Sequence, residues 1–351
     1  MLWADSFSCT LETPVMLKLP SPACLIPGGQ TLLRGHGTAL WRHRYTKECG
    51  LAAKPNFFIA GAPKCGTTAL YEYLRSHPQV FMPNLKEPHF FSDDLITHQF
   101  VRTLDEYTRL FAGASPHQLR VGEASASYLL SFAALPAIRE FNPDARIIAM
   151  FRNPVDMVYS FHSQLLYWSE ETEGDFEKAW ALQERRRRGI DVPATCREPF
   201  WLQYRDVGRF GTQAQRLLSV FPRDQVKLIL FDDFAASPQG IYNEVIDFLG
   251  ISSGYRTEFP RVNENKRARL NWLGDLYRKP PPMVRQAYVR LKRTAAGKQL
   301  KHLKQWIVNL NTVRERRPPL SPEFRAELVV TFRDEVALLS RLIGRDLSHW
   351  T

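Results

Sequence analysis

Apolar residues in this chain gather in short continuous runs that stop abruptly. The first, Phe57-Phe58-Ile59-Ala60, ends at the loop Gly61-Ala62-Pro63-Lys64-Cys65-Gly66-Thr67-Thr68. Behind it, Leu70, Tyr73 and Leu74 recur at helical spacing from Thr68 to Ser76, so a strand, a glycine loop and a helix follow one another. A second run, Ala145 to Phe151, stops at Arg152-Asn153-Pro154 and leads into a helix-like stretch from Val155 to Trp168. The third, Val226 to Phe231, stops at Asp232-Asp233 ahead of a helix through Tyr242 to Leu249. Continuous apolar strands, each followed by a helix, predict an α/β fold: a three-layer sandwich with a central parallel sheet flanked by helices. Residues 270–351 read mostly as helix, broken at Pro280 to Pro282 and at Pro318-Pro319. Residues 1–53 hold no sustained period and scatter Pro and Gly, so a poorly ordered extension is expected before one domain spanning 54–351.

Charge changes this picture only in part. The 47 Lys and Arg against 36 Asp and Glu leave a net +11, a field that draws phosphorylated or sulfated ligands, nucleic acid or anionic membrane without choosing among them. No helix-turn-helix or RNA-binding aromatic pattern is present, so no nucleic-acid partner is expected. No run reaches the roughly 18 apolar residues of a membrane span, and the first residues lack the basic and apolar regions of a secretory signal. The cysteines (Cys9, Cys24, Cys49, Cys65, Cys196) are scattered, without metal-ligand spacing or a disulfide framework. A reducing, cytoplasmic location is the expectation, with residues 1–53 leaving a targeting segment open, and no metal site is expected.

The chemistry concentrates at two strand ends. In the glycine loop, backbone N–H groups and a helix N-terminus form an anion site, Gly61 and Gly66 allow close approach, Thr67 and Thr68 add hydroxyls, and Lys64 adds positive charge. A triphosphate loop reads GxxxxGK[ST]; here Thr67 stands where that loop has its lysine, and the only lysine is at mid-loop. That placement favours a less charged group than a Mg²⁺-bound triphosphate. A kinase or NTPase using Asp232 for Mg²⁺, and a non-catalytic anion- or glycan-binding protein, are the alternatives. At the second strand end Arg152 can fork onto a phosphate, and Ser160 lies two helical turns further on. Two anion sites at strand ends imply a ligand with two separated anionic groups.

These residues resemble the sulfotransferases that use 3′-phosphoadenosine 5′-phosphosulfate (PAPS), in particular the glycan-modifying, heparan sulfate-like and bacterial branch, whose fold is P-loop-like. FFIAGAPKCGTTALYEYLRSHP is similar to the family's 5′-phosphosulfate loop, which assigns Lys64, Cys65, Gly66, Thr67 and Thr68 to the co-substrate. IIAMFRNPVDMVYSFHS is similar to its 3′-phosphate motif, with Arg152 and Ser160 on the binding positions. VGRFGTQAQRLLSVFPRDQVKLILFDDF and LIGRDLSHW match as well. LKEPHFF resembles the segment carrying the catalytic glutamate, which makes Glu87 the base, with burial between Pro88 and Phe90-Phe91 expected to raise its pKa; His89 is the rival, since cytosolic members use a histidine. The resemblance gives Lys64 the further role of neutralising the bridging oxygen of the leaving nucleotide. NENKRARL lies where the family closes a loop over the 3′-phosphate, making Lys266, Arg267 and Arg269 candidates, although the family's glycine is absent. In GEASASYL, Ala124 stands where the heparan branch has lysine. The implied reaction is sulfuryl transfer from PAPS to a hydroxyl or amine, with a glycan as the candidate acceptor. Asp232-Asp233 are then structural, Glu170, Glu171 and Glu173 a solvated loop, and Glu184 with Arg185 to Arg188 a solvated helix end or a grip on an acidic glycan.

Overall fold

A computed structural model describes residues 54–95, 101–255, 258–260, 266–268, 312–314 and 317–351. The expected extension over residues 1–53, and the helices expected between 270 and 311, lie outside them. The elements begin with β1 (Phe57–Gly61), α1 (Thr67–Arg75), β2 (Val80–Phe81), α2 (Leu104–Arg109), β3 (Arg120–Ala124), α3 (Ala134–Phe141), β4 (Arg146–Phe151) and α4 (Pro154–Trp168). They continue with α5 (Phe176–Ala181), α6 (Gln183–Arg187), α7 (Tyr204–Val207), α8 (Phe210–Val220), β5 (Val226–Leu230), α9 (Phe231–Ala236) and α10 (Pro238–Leu249). Two short strands, β6 (Lys266–Ala268) and β7 (Thr312–Arg314), precede α11 (Pro322–Ile343).

The main sheet has the order β2-β3-β1-β4-β5, and its pairings are parallel. β1 is buried along its whole length, as a strand covered on both faces requires. Its register, Phe57 opposite Gly122 and Ile59 opposite Ile148, sets the two chemically active ends side by side. A Cβ on Gly122 would stand 2.1 Å from the Phe57 ring, so the close approach of β3 to β1 needs glycine there. From β1 the chain crosses toward β2, and from β4 it crosses the other way to β5. The crevice at the carboxyl ends of β1 and β4 is therefore a topological switch point, where open α/β sheets bind ligands.

Beneath that crevice lies an aromatic core. Phe90 stacks on Tyr107 at 4.4 Å, and Phe91 meets Phe58, Tyr107, Tyr128 and Phe141 edge-on or tilted. The C-terminal segment closes the far side. Trp350 Nε1 donates to Asp232 Oδ2 at 2.6 Å, Arg345 pairs with Asp233, and Asn153 Nδ2 donates to the Trp350 carbonyl at 3.2 Å. Asp232 and Asp233 thus tie the last residues to the ends of β4 and β5, the structural role expected of them.

One expectation is corrected here. Glu170 and Glu171 are not a solvated loop: they are 0% and 2% exposed. Glu170 accepts from Arg197 Nε at 2.5 Å and from the Arg197 N–H at 2.6 Å. Glu171 accepts from both Arg186 terminal nitrogens, at 2.6 and 2.7 Å, and from the Tyr204 hydroxyl at 2.6 Å. Arg186 is likewise buried, whereas Arg185, Arg187 and Arg188 pair with Asp191, Asp206 and Glu184 at the surface. Buried carboxylates persist when each oxygen has a donor, which these have.

Candidate active site

At the end of β1 the loop turns through Lys64, whose φ of 62° is left-handed, and through Gly66 at φ 93°. Gly66 is fixed twice over: a Cβ there would lie 3.1 to 3.3 Å from Phe231, Phe234 and Met150, and its φ is strained for other residues. α1 then starts at Thr67 with no side-chain cap, so its first N–H groups face the crevice for an anion to take. Lys64, Gly66, Thr67 and Thr68 line one cavity of about 470 Å³, and Arg152 and Ser160 line the same cavity. The two candidate anion-binding segments read from sequence thus line one cavity.

Cys65 is the exception among the loop residues. It is fully buried, its thiol points to the Pro63 carbonyl at 3.4 Å, and its N–H donates to Ala62 at 3.3 Å. Burial pushes the thiol pKa well up, against the opposing pull of Arg152 and Lys64. Its side chain is buried beneath the loop and is not among the cavity-lining residues, so any contact with a ligand would come from its backbone.

Three cations share the cavity. Lys64 is held down to about 8, first by burial and then by Arg317 and Arg152. Arg152 lies over the Phe231 ring at 4.9 Å and Arg317 over the Tyr159 ring at 5.3 Å. Arg317 was not among the sequence candidates, because nothing in Arg317-Pro318-Pro319 shows that the segment returns to this crevice. Gln164 and Trp168 were also missed, although they follow Ser160 at the spacing of one helix face. Lys266 and Arg267 lie on β6, which pairs antiparallel with β7 and runs beside α4; their side chains, and all of Arg269, lie outside the described residues.

Opposite the cations stands the segment of Glu87 and His89. Both residues have left-handed φ, 62° and 54°, which places them with Lys64 among the strained positions of the chain. The end of β3 holds them there. Glu87 N–H donates to the Ala124 carbonyl at 2.9 Å, and His89 N–H donates to Ser125 Oγ at 3.1 Å. Ser127 Oγ bonds His89 Nδ1 at 2.6 Å, and His89 Nε2 lies 3.7 Å from Glu87 Oε2. Ala124 is therefore buried and meets this segment through its carbonyl.

The expected upward pKa shift of Glu87 is reversed. Phe90 and Phe91 turn into the core, and Glu87 pairs with Lys86 while remaining 30% exposed. Burial still pushes its pKa up, but Lys86 and His89 outweigh it and hold the carboxyl at about 2. Behind it, Glu123 is fully buried and accepts from Ser125 at 2.6 Å, Tyr128 at 2.8 Å and Tyr107 at 3.0 Å; burial pushes its pKa up against those bonds.

Known proteins share this architecture. The crystal structure of a sulfotransferase from Alicyclobacillus acidocaldarius superposes with a TM-score of 0.61 and 32% identity, covering 85% of this chain and 99% of that one. Human carbohydrate sulfotransferase 15 is 27% identical over 60% of this chain and 46% of its own length. Human heparan sulfate glucosamine 3-O-sulfotransferase 6 is 29% identical over 67% of each chain. The chain spans about half the length of the carbohydrate sulfotransferases it matches. These relatives correct the cytoplasmic expectation, since they are carbohydrate and heparan sulfate enzymes and include a sulfotransferase of Dictyostelium discoideum named as membrane-associated. Among the described residues no helix is long and apolar enough to cross a membrane. With the sulfotransferase domain model matching residues 54–267 around this same crevice, the chain belongs to the sulfotransferase domain family, whose general reaction is sulfuryl transfer from PAPS.

Proposed function

We propose that the protein transfers the sulfuryl group of PAPS to a hydroxyl or amine of a carbohydrate acceptor. The observation that carries this reading is the convergence, in one cavity, of the Lys64 loop, the Arg152–Ser160 pair and the Glu87–His89 segment. The donor set suits a nucleotide with two anionic ends. The N–H groups opening α1, with Thr67, Thr68 and Lys64, would hold the phosphosulfate, while Arg152 and Ser160 would hold the 3′-phosphate. The buried Cys65 side chain would pack the loop that holds the phosphosulfate. Lys266 and Arg267 remain candidates for closing over the 3′-phosphate, since β6 runs beside the helix that bears Ser160.

Bound PAPS supplies the sulfuryl group and a bisphosphate leaving group. Glu87 would take the proton of the acceptor as its oxygen or nitrogen bonds to sulfur. The bond from sulfur to the nucleotide's bridging oxygen breaks, and Lys64 would meet the charge that develops there. Adenosine 3′,5′-bisphosphate leaves. In this scheme Lys64, Arg152 and Arg317 supply the positive charge for which a triphosphate enzyme uses Mg²⁺, and the reaction needs no metal.

Two results are expected. Adenosine 3′,5′-bisphosphate at one hundred times its Kd should stabilise the protein by about 2.7 kcal/mol in a thermal melt with EDTA present. No shift at saturation, or a shift that requires Mg²⁺, would sink the proposal. Arg152→Ala should cost about 1.5–3 kcal/mol of bisphosphate affinity and leave 5′-AMP binding nearly unchanged in calorimetry, because Arg152 is assigned to the 3′-phosphate alone. Equal losses for the two nucleotides would place Arg152 elsewhere. Turnover of labelled PAPS against a carbohydrate panel tests the acceptor class directly.

A further inference from the structure

α4 presents Ser160, Phe161, Gln164, Tyr167 and Trp168 to the cavity, positions that share one helix face. At about 1.5 Å of rise per residue, Trp168 stands roughly 12 Å along the axis from Ser160. Arg317 marks the Ser160 end, because its guanidinium lies over Tyr159, its field lowers the Lys64 pKa, and Arg152 is close enough to lower its own. The other end is aromatic. The Trp168 and Trp201 rings are 5.7 Å apart at 37°, and Phe161 meets Trp201 edge-on at 5.9 Å. Among the described residues lining the cavity, the cations belong to the first end.

This wall is built with care. The chain leaves α4 through Ser169, at a left-handed φ of 60°, and returns at the short helix Pro199–Leu202 that carries Trp201. The excursion between them is clamped at its base by the buried Glu171–Arg186 pair, with Tyr204 on it, and by the buried Glu170 carboxylate held by the surface residue Arg197. Removing Arg186 or Arg197 would leave a buried carboxylate without its cation, so both pairs hold the two tryptophans to one relative position.

We propose that this end of the cavity is an acceptor subsite for an uncharged pyranose ring, stacked on Trp168 and oriented by Gln164; the inference rests on the sulfotransferase reading above. A pyranose offers a C–H face to an aromatic ring and rim hydroxyls to an amide that both donates and accepts. A ring carrying sulfates or carboxylates would bring charge to a wall whose described lining residues include no cation at this end, at a desolvation cost. The subsite thus selects a neutral stretch of glycan as the group to be sulfated.

The test is saturation-transfer NMR on the full chain saturated with adenosine 3′,5′-bisphosphate, using maltotriose, chitotriose and a heparin tetrasaccharide as probes. Ring C–H protons of a neutral probe should receive saturation, and Trp168→Ala should weaken that probe roughly tenfold. Trp168→Phe should retain most of the affinity, and both variants should bind the bisphosphate within about twofold of wild type. Loss of bisphosphate affinity in Trp168→Ala, matching the loss of sugar, overturns the proposal and gives the wall to adenine. So does saturation confined to the heparin probe, or none in any neutral sugar. A wild-type protein that fails to bind the bisphosphate removes the sulfotransferase reading itself, an outcome visible before any sugar is added.

Discussion

Glu87→Gln is expected to lower kcat by roughly 10²–10⁴-fold, the usual contribution of a general base, while bisphosphate affinity stays close to wild type. Glutamine keeps the size and one acceptor oxygen of the carboxylate but cannot take a proton at neutral pH. The backbone bond from Glu87 to Ala124, which places the residue, does not involve the side chain and survives the change. Because Lys86 and His89 hold the carboxyl at about 2, Glu87 is ionised throughout the working range. Its protonation should therefore add no acid limb to kcat/KM at any pH where the fold persists. A carboxylate so stabilised is a weak base, and its value lies in position: it lines the same cavity as Lys64 and lies within reach of its charge, so an acceptor held there would meet both. The control is His89→Asn, which should cost much less. If steady-state kinetics show the reverse, with His89→Asn crippled and Glu87→Gln active, His89 is the base. The Ser127 hydroxyl on its Nδ1 would then fix the ring that does the work.

The parallel sheet was legible because β1 and, after Arg146, β4 are continuous apolar runs buried on both sides, and the edge strand β5 is apolar but for Lys227. The glycine loop and the Arg152–Ser160 pair were legible for a local reason: each lies within one strand–helix unit, so its geometry follows from spacing. What failed was long-range. Glu170 and Glu171 look solvated in sequence, since acidic residues in a loop usually are, and only the fold brings Arg197 and Arg186 against them. Arg317 lines the cavity although it lies far along the sequence from the other lining residues, and no period in the sequence announces it. The pKa of Glu87 was misjudged in sign for a related reason. Phe90 and Phe91 were taken as its surroundings, but the chain turns through left-handed Glu87 and His89 and both rings enter the core beneath. That the Cys65 side chain turns inward while its loop neighbours line the cavity was likewise not legible from spacing.

Lys64→Met should lower kcat by roughly 10²–10³-fold, the loss seen when one preorganised donor to a developing oxyanion is removed. Methionine preserves the length of the side chain, and the left-handed backbone at Lys64 is imposed by the loop, so the main change is one positive charge. The pH profile tests the assignment more sharply. The ammonium is the useful form, and burial with Arg317 and Arg152 brings its pKa to about 8. In the free enzyme the charge is present below that value and lost above it, so kcat/KM should fall as pH rises through about 8. A bound bisphosphate favours the charged lysine, so the corresponding limb of kcat should lie at higher pH than that of kcat/KM. Lys64→Arg keeps a charge that does not titrate in this range and should abolish the alkaline limb, at a reduced rate because the guanidinium is shaped differently. An alkaline limb near pH 8 that survives in Lys64→Arg belongs to another group, and Lys64 then has no claim to the bridging oxygen on this evidence.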